Sequence, residues 1–264
     1  MTATSQQQQA IAFLNQDPLR NIVPLKMLTA HPADIQAHYA EGVDGAAALL
    51  LFPTSAFAYD RATYADLDLV VILSATALDA ARQLLKYIPR DRKLIFKLMD
   101  PTVQALLAQQ WPMQRVTAFV SYTADAVADF APDAAVVTAA AVDERLLPHF
   151  AAQGHDEAEI AHYFATGQAR SLTLYQHSEP VAACFTYQNF ELIHEIGGVF
   201  TLPTERRKGY ARRVVQSAVH ALLARGCRPR YQVHEANRPS IALAEQIGLK
   251  LFVTVEHWRA AGGG

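Results

Sequence analysis

Short apolar runs alternate with amphipathic stretches through the first half of the chain. Residues 46–52 and 67–73 read as buried strands, and 78–87 read as a helix closed by Pro89. Residues 94–98 form the next predicted strand, 101–110 a helix with proline in its first turn, and 116–122 a further strand. This alternation predicts an α/β (α+β) chain and excludes a helical bundle or a sandwich. Between Val120 and Asp143 the pattern thins into alanine-rich sequence, so a boundary is expected near residue 130. The expected domains are 1–130 and 131–264.

The second half has a sharper pattern. Two short helices (143–150 and 156–164) precede three strands (169–176, 180–188 and 191–202), with turns at 177–179 and 189–190. A helix over 209–225 carries Val214, Val215, Ala218, Leu222 and Leu223 on one face and stops at Gly226. A strand at 231–234, a helix at 239–247 and a last strand at 249–255 complete the order.

Composition narrows the classes. The chain has 264 residues, and roughly 150 residues per domain makes two modest domains the prior. Hydrophobic residues are 51% and charged residues 18%, the latter below the roughly 25% of ordinary soluble domains, which argues for large cores and against disorder. The apolar run 46–52 is far shorter than the roughly 20 residues of a membrane span. The start, MTATSQQQQAIAF, lacks a basic segment followed by an apolar one, so a cytoplasmic protein is expected, with Cys184 and Cys227 reduced and Cys184 a buried strand residue. A net charge of −2 argues against a nucleic-acid partner. That total hides a dense basic cluster of Arg206, Arg207, Lys208, Arg212 and Arg213.

The cluster lies where a strand runs through a turn into the long helix. Free backbone N–H groups and the helix dipole make such a helix start an anion site. Gly209 and small Ala211 let a phosphate approach the backbone, and the basic side chains add charge around it. Neither GxxxxGK[ST] nor GxGxxG is present, which excludes a P-loop and a dinucleotide fingerprint. What is present is Arg206-x-x-Gly209-x-Ala211, after Val199-Phe200-Thr201-Leu202-Pro203.

That spacing resembles the acyl-coenzyme-A signature [QR]-x-x-G-x-[GA] of the GNAT superfamily of N-acetyltransferases. The segment from Asn237-Arg-Pro-Ser240 to Ile247-Gly248-Leu249 is similar to the ending of that family, and the element order over residues 169–258 follows it. The resemblance implies a mixed, mostly antiparallel sheet flanked by helices, whose fourth strand splays from the fifth to hold pantetheine. It further implies acetyl-CoA as co-substrate, a primary amine as acceptor, and direct attack in a ternary complex. The residues it places at the cofactor are Val199, Phe200, Thr201, Arg206, Arg207, Lys208, Gly209, Tyr210, Ala211, Arg212, Asn237 and Ser240. Gly197-Gly198 would form a bulge at the splay.

An amine must lose a proton before it attacks, and Glu195 matches the base position of the histone-acetylating branch. A carboxylate in an apolar strand would have a raised pKa; the alternative is that Glu195 anchors a neighbouring backbone or cation. The tyrosine that the family often uses to protonate the thiolate is replaced by Ala244, leaving Ser240, Tyr231 and His234 as candidates. His155, Glu159 and His162 would share one face of a helix near the acceptor; the plainer reading has Asp156 capping that helix, and no metal is expected. The first half resembles a second, degenerate GNAT-like unit in tandem, whose junction 74–78 has neither a basic residue nor glycine and so would bind no pyrophosphate; the alternative is an unrelated α/β domain. Two other readings stay open: a non-catalytic acyl-CoA-binding or sensing module, and a transferase of another acyl or aminoacyl donor.

Overall fold

Two helices, three antiparallel strands, a helix, a parallel strand, a helix and a last strand follow one another twice along the chain. The structure is a computed structural model and describes residues 5–260. The first series comprises α1 (Ser5–Leu14), α2 (Ile22–Ala30), β1 (Gln36–Glu41), β2 (Ala46–Pro53), α3 (Ala58–Thr63), β3 (Leu69–Ala75), α4 (Leu78–Leu84), β4 (Leu94–Leu98), α5 (Pro101–Ala108) and β5 (Met113–Thr123). A short β6 (Val136–Ala139) leads into the second, which comprises α6 (Leu147–Ala151), α7 (Glu157–Ala165), β7 (Ala169–Gln176), β8 (Glu179–Phe190), β9 (Ile193–Thr201), α8 (Tyr210–Ala224), β10 (Arg228–His234), α9 (Arg238–Gln246) and β11 (Lys250–Ala260). Helix α3 interrupts the first series, and β6 precedes the second without a counterpart in the first.

The chain forms two compact units, which divide inside β5 and inside β11. Unit 1 runs to Phe119 and takes up the chain again at Val253; unit 2 is Val120–Phe252. The pattern-based division near residue 130 falls further along, where alanine-rich sequence follows β5. In unit 1 the strand order is β1-β2-β3-β4-β11, with Trp258 opposite Phe96 on antiparallel β4 and β11. In unit 2 the order is β5-β10-β9-β8-β7-β6. Unit 1 is therefore completed by the C-terminal strand and not by the strand that follows α5.

Burial explains these elements. The strand β2 is buried at every position from Ala46 to Phe52, and it packs with Val71, Leu73, Phe96 and Trp111 into the core of unit 1. In unit 2, α8 lays Val214, Val215, Ala218, Val219 and Leu222 on Leu172, Cys184 and Ile196. Each large apolar side chain so buried contributes about 1.5–3 kcal/mol. The Gln-rich start folds from Ser5 into α1, burying Ala10, Phe13 and Leu14; residues 1–4 lie outside the described residues. Gln7 is buried there because its amide donates to the carbonyls of Pro32 and Ile35 at 2.8 and 3.0 Å. The β8–β9 turn falls at Glu191-Leu192, two residues later than expected, since β8 runs on to Phe190. Among the described residues no helix is long and apolar enough to cross a membrane.

Both cysteines are free and buried, and burial pushes the Cys184 thiol well above its usual pKa. Ellman's reagent should therefore titrate both thiols only after denaturation. Fast reaction of Cys184 in the folded protein would contradict the packing of β8 under α8.

Candidate active site

Strands β9 and β10 pair in parallel only at Ile193/Arg228, His194/Pro229 and Glu195/Arg230. Past that point Ile196–Thr201 leave β10, so a stretch of backbone N–H and C=O groups on that edge is given up by the ladder. Glu195 sits at the apex. Its Oε2 accepts from Arg230 at 2.6 Å and from the Asn189 amide at 2.9 Å, while Oε1 accepts the Gln232 backbone N–H at 3.0 Å. The side chains of Glu195 and Arg230 are 7% and 3% exposed. Arg230 also donates to Ser121 Oγ at 3.2 Å. The carboxylate thus takes over where the ladder ends and wedges the strands apart. Glu195, expected as the proton-accepting carboxylate, has the anchoring surroundings of the alternative reading: its charge is matched by a guanidinium and its oxygens are engaged by three donors.

The other edge of β9 carries a bulge. Gly197 pairs with Phe185 and Phe200 with Ala183, so Gly198 and Val199 together oppose Cys184. Gly198 has φ +61°, and a Cβ there would lie 2.5 Å from Phe185 and 2.8 Å from Phe150. Only glycine fits this backbone. The bulge turns the Gly198 N–H to His155, whose Nε2 accepts it at 3.1 Å. A bulge is thus present where Gly197-Gly198 is expected to give one, but it is made by Gly198 and Val199, while Gly197 keeps its pair with Phe185.

Below the bulge, β9 passes through a short turn into α8. Gly209 has φ +80°, and a Cβ there would meet no atom within 4 Å, so the approach to the helix start is open. Of the five basic residues, Arg213 is bound in a fork to Asp133 at 2.5 and 3.1 Å, and Lys208 pairs with Glu205 at 2.9 Å. Arg206, Arg207 and Arg212 are exposed and carry no ion pair among the described residues. Arg206 donates to Thr201 O at 3.4 Å, which turns its stem back along the strand end. The Tyr210 hydroxyl accepts from the Gln176 amide.

Unit 1 treats its corresponding junction in the opposite way. The strand β3 leads through Thr76 into α4, whose own Asp79 accepts the Val43 N–H at 2.9 Å. Thr76 Oγ1 is bonded to both the N–H and the carbonyl of Ala46. A Cβ on Gly42 would meet Asp79 at 2.3 Å, so the β1–β2 turn lies against that carboxylate, and the Val43 N–H holds Asp79 below its ordinary pKa. An acid already stands where an anion would have to bind.

The remaining sequence candidates fall around these features. Val199 packs on the unit 2 core, Phe200 stacks on His149 with ring centroids 3.9 Å apart, and the buried Thr201 Oγ1 has no hydrogen-bond partner among the described residues. Asn237 caps α9 through the Ser240 N–H at 3.3 Å, and the Ser240 hydroxyl is within hydrogen-bond reach of buried Tyr231, whose pKa is pushed up to about 12, chiefly by burial. His234 is exposed and accepts the Ala236 N–H, and Ala244 is fully buried. Asp156 caps α7 through the Glu159 N–H. His155 lies before that cap, so it is not on a helical face with Glu159 and His162. Sequence reasoning missed the aromatic wall beside it. Tyr163 stacks on Tyr187 at 4.7 Å, donates to Glu159 at 2.8 Å, and leads to Phe185 and His155. The alternation of Phe185 and Tyr187 on one face of β8 was its only visible signal.

Residues 138–249 match the family model for the acetyltransferase (GNAT) family. No curated protein matches the sequence. Among solved structures, the chain is similar to a GNAT-family acetyltransferase from Colwellia psychrerythraea, at 12% identity over 99% of this chain and 98% of that one, with a TM-score of 0.61. It is also similar to a tandem GNAT protein from the clavulanic acid biosynthesis pathway (13% identity, 100% and 98% covered, TM-score 0.54). A third likeness is to a GCN5-related N-acetyltransferase from Kribbella flavida (15%, 99% and 98%, TM-score 0.52). At such identities the likeness is one of fold, and it spans both units. Residues 138–249 thus match the GNAT acetyltransferase family model, within a fold similar along its whole length to that of a tandem GNAT protein.

Proposed function

We propose that unit 2 transfers an acetyl group from acetyl-CoA to a primary amine. The observation that carries this reading is the divergence of β9 from β10 after Glu195/Arg230, which leads to an open helix start flanked by three exposed arginines without an ion pair among the described residues. Pantetheine amides would replace the missing strand along Ile196–Thr201. The pyrophosphate would take the N–H groups at the start of α8 with Arg206, Arg207 and Arg212. The Gly198 N–H, turned out of the ladder, is the donor available to polarise a thioester carbonyl. Asn237 and Ser240 keep cofactor contact as a secondary role beside capping α9. Glu195 acts as a positioning residue that holds the splay.

Calorimetric titration with CoA tests the donor half of this reading. A charge-assisted contact contributes about 1.5–3 kcal/mol, so Arg206→Ala with Arg207→Ala should weaken CoA binding by roughly 100-fold or more. Equal affinity in the double variant would reject the cradle. Release of free thiol from acetyl-CoA across a panel of primary amines tests the transfer. CoA binding without turnover on any amine would instead favour a non-catalytic binding module, the reading supported by fully buried Ala244 at the position of the leaving-group tyrosine.

A further inference from the structure

We propose that His155 is the proton acceptor for the attacking amine, and that the Gly198 N–H is the switch that frees it. This rests on the acetyl-transfer reading above. His155 Nε2 accepts the Gly198 N–H at 3.1 Å, which puts the proton of the neutral ring on Nδ1. The ring stands edge-on to Phe185, with centroids 5.0 Å apart, and a Cβ on Gly197 would come within 3.2 Å of it. Its own backbone N–H is tied to the Phe150 carbonyl at 3.2 Å, so the imidazole is held over the bulge from the α6 side.

The charged groups around it are few. Helix α7 brings Glu159, and β9 brings Glu195, whose charge Arg230 of β10 neutralises; β8 brings apolar Phe185. Burial lowers the His155 pKa from its ordinary value more than the two carboxylates raise it, so the ring is neutral at neutral pH.

A neutral imidazole whose lone pair is committed to a backbone N–H cannot act as a base. A thioester carbonyl that takes the Gly198 N–H removes that partner and leaves the Nε2 lone pair beside the carbonyl carbon. The amine nitrogen then forms the new C–N bond, the C–S bonding pair passes to sulfur, and the amine proton passes to His155 Nε2. The imidazolium returns that proton to the thiolate, so free CoA thiol, amide and neutral His155 result. The acid that Ala244 cannot supply is thereby the same residue that served as base.

The test is an imidazole ¹⁵N NMR titration of the full-length protein alone, with CoA, and with the acetyl-CoA ketone analogue in which methylene replaces sulfur. Loss of the Gly198 donor should raise the His155 midpoint with the ketone and shift the Gly198 amide proton, while CoA leaves both in place. Equal His155 midpoints with both ligands bound would overturn the switch. Failure of either ligand to bind would reject the donor reading first, and this one with it. His155→Gln keeps an acceptor for Gly198 but cannot take a proton. Acetyl transfer to the best amine of the panel should fall roughly 10²–10⁴-fold, with loss of the acidic limb of the pH profile and unchanged CoA affinity. Full activity with that limb intact would also overturn the proposal.

Discussion

Glu195→Ala is expected to destabilise unit 2 by about 3–5 kcal/mol, because it leaves the Arg230 guanidinium buried without its counter-charge. The Asn189 amide and the Gln232 N–H lose their acceptor in the same change. Arg230→Met should cost a similar amount, and the double variant Glu195→Ala/Arg230→Met far less than the sum, since no charge is then stranded. Calorimetric melting of the four proteins measures the coupling, read on the unit 2 transition because two units need not unfold in one step. The contrasting outcome is informative. A Glu195→Gln protein with wild-type melting and CoA affinity but a large loss of turnover would return the carboxylate to the role of base.

Gly198→Ala is expected to be the most damaging single methyl in the site. The backbone at φ +61° disfavours a side chain by about 1–2 kcal/mol. The new Cβ would also lie 2.5 Å from Phe185 and 2.8 Å from Phe150, rings that are 1% and 0% exposed and cannot swing away. Overpacking of that kind adds about 1–3 kcal/mol, so the total is roughly 2–5 kcal/mol and the melting temperature should fall by about 5–15 °C. Gly209→Ala is the control. Its backbone is equally left-handed, but its Cβ meets nothing within 4 Å, so the cost should be only about 1–2 kcal/mol, with the loss falling on CoA binding. Similar melting temperatures for the two variants would show that the bulge tolerates a side chain.

The strands and helices that carry strong apolar patterns were legible in the sequence. Strand β4 at 94–98 and β7 at 169–176 coincide with the pattern to the residue, and α8 begins one residue after the glycine that was read as its entry. The elements that escaped have little apolar signal. Strand β1, QAHYAE, buries only Ala37, and β6 is a four-residue edge strand with Val137 half exposed. Helix α1 was hidden because its buried Gln7 reads as polar until its two carbonyl partners, 25 and 28 residues away, are known.

The site divides in the same way. The basic turn into α8 is a local feature, so its spacing alone proposed an anion cradle there, although spacing could not tell that Asp133 and Glu205 withdraw two of the five cations. A carboxylate in a strand looks the same whether it is a base or an anchor, and the partner that favours the anchor, Arg230, lies 35 residues further on.

By itself, the sequence determined the order of elements, the apolar faces, the open helix start and the absence of a basic junction in the first half, because each depends on neighbours a few residues apart. Tertiary structure alone decided that β11 closes unit 1, that Glu195 wedges the splay, and that His155 meets Gly198 across 43 residues. These are pairings of polar or strand groups that many partners could satisfy, and only the folded backbone brings one partner within hydrogen-bond distance.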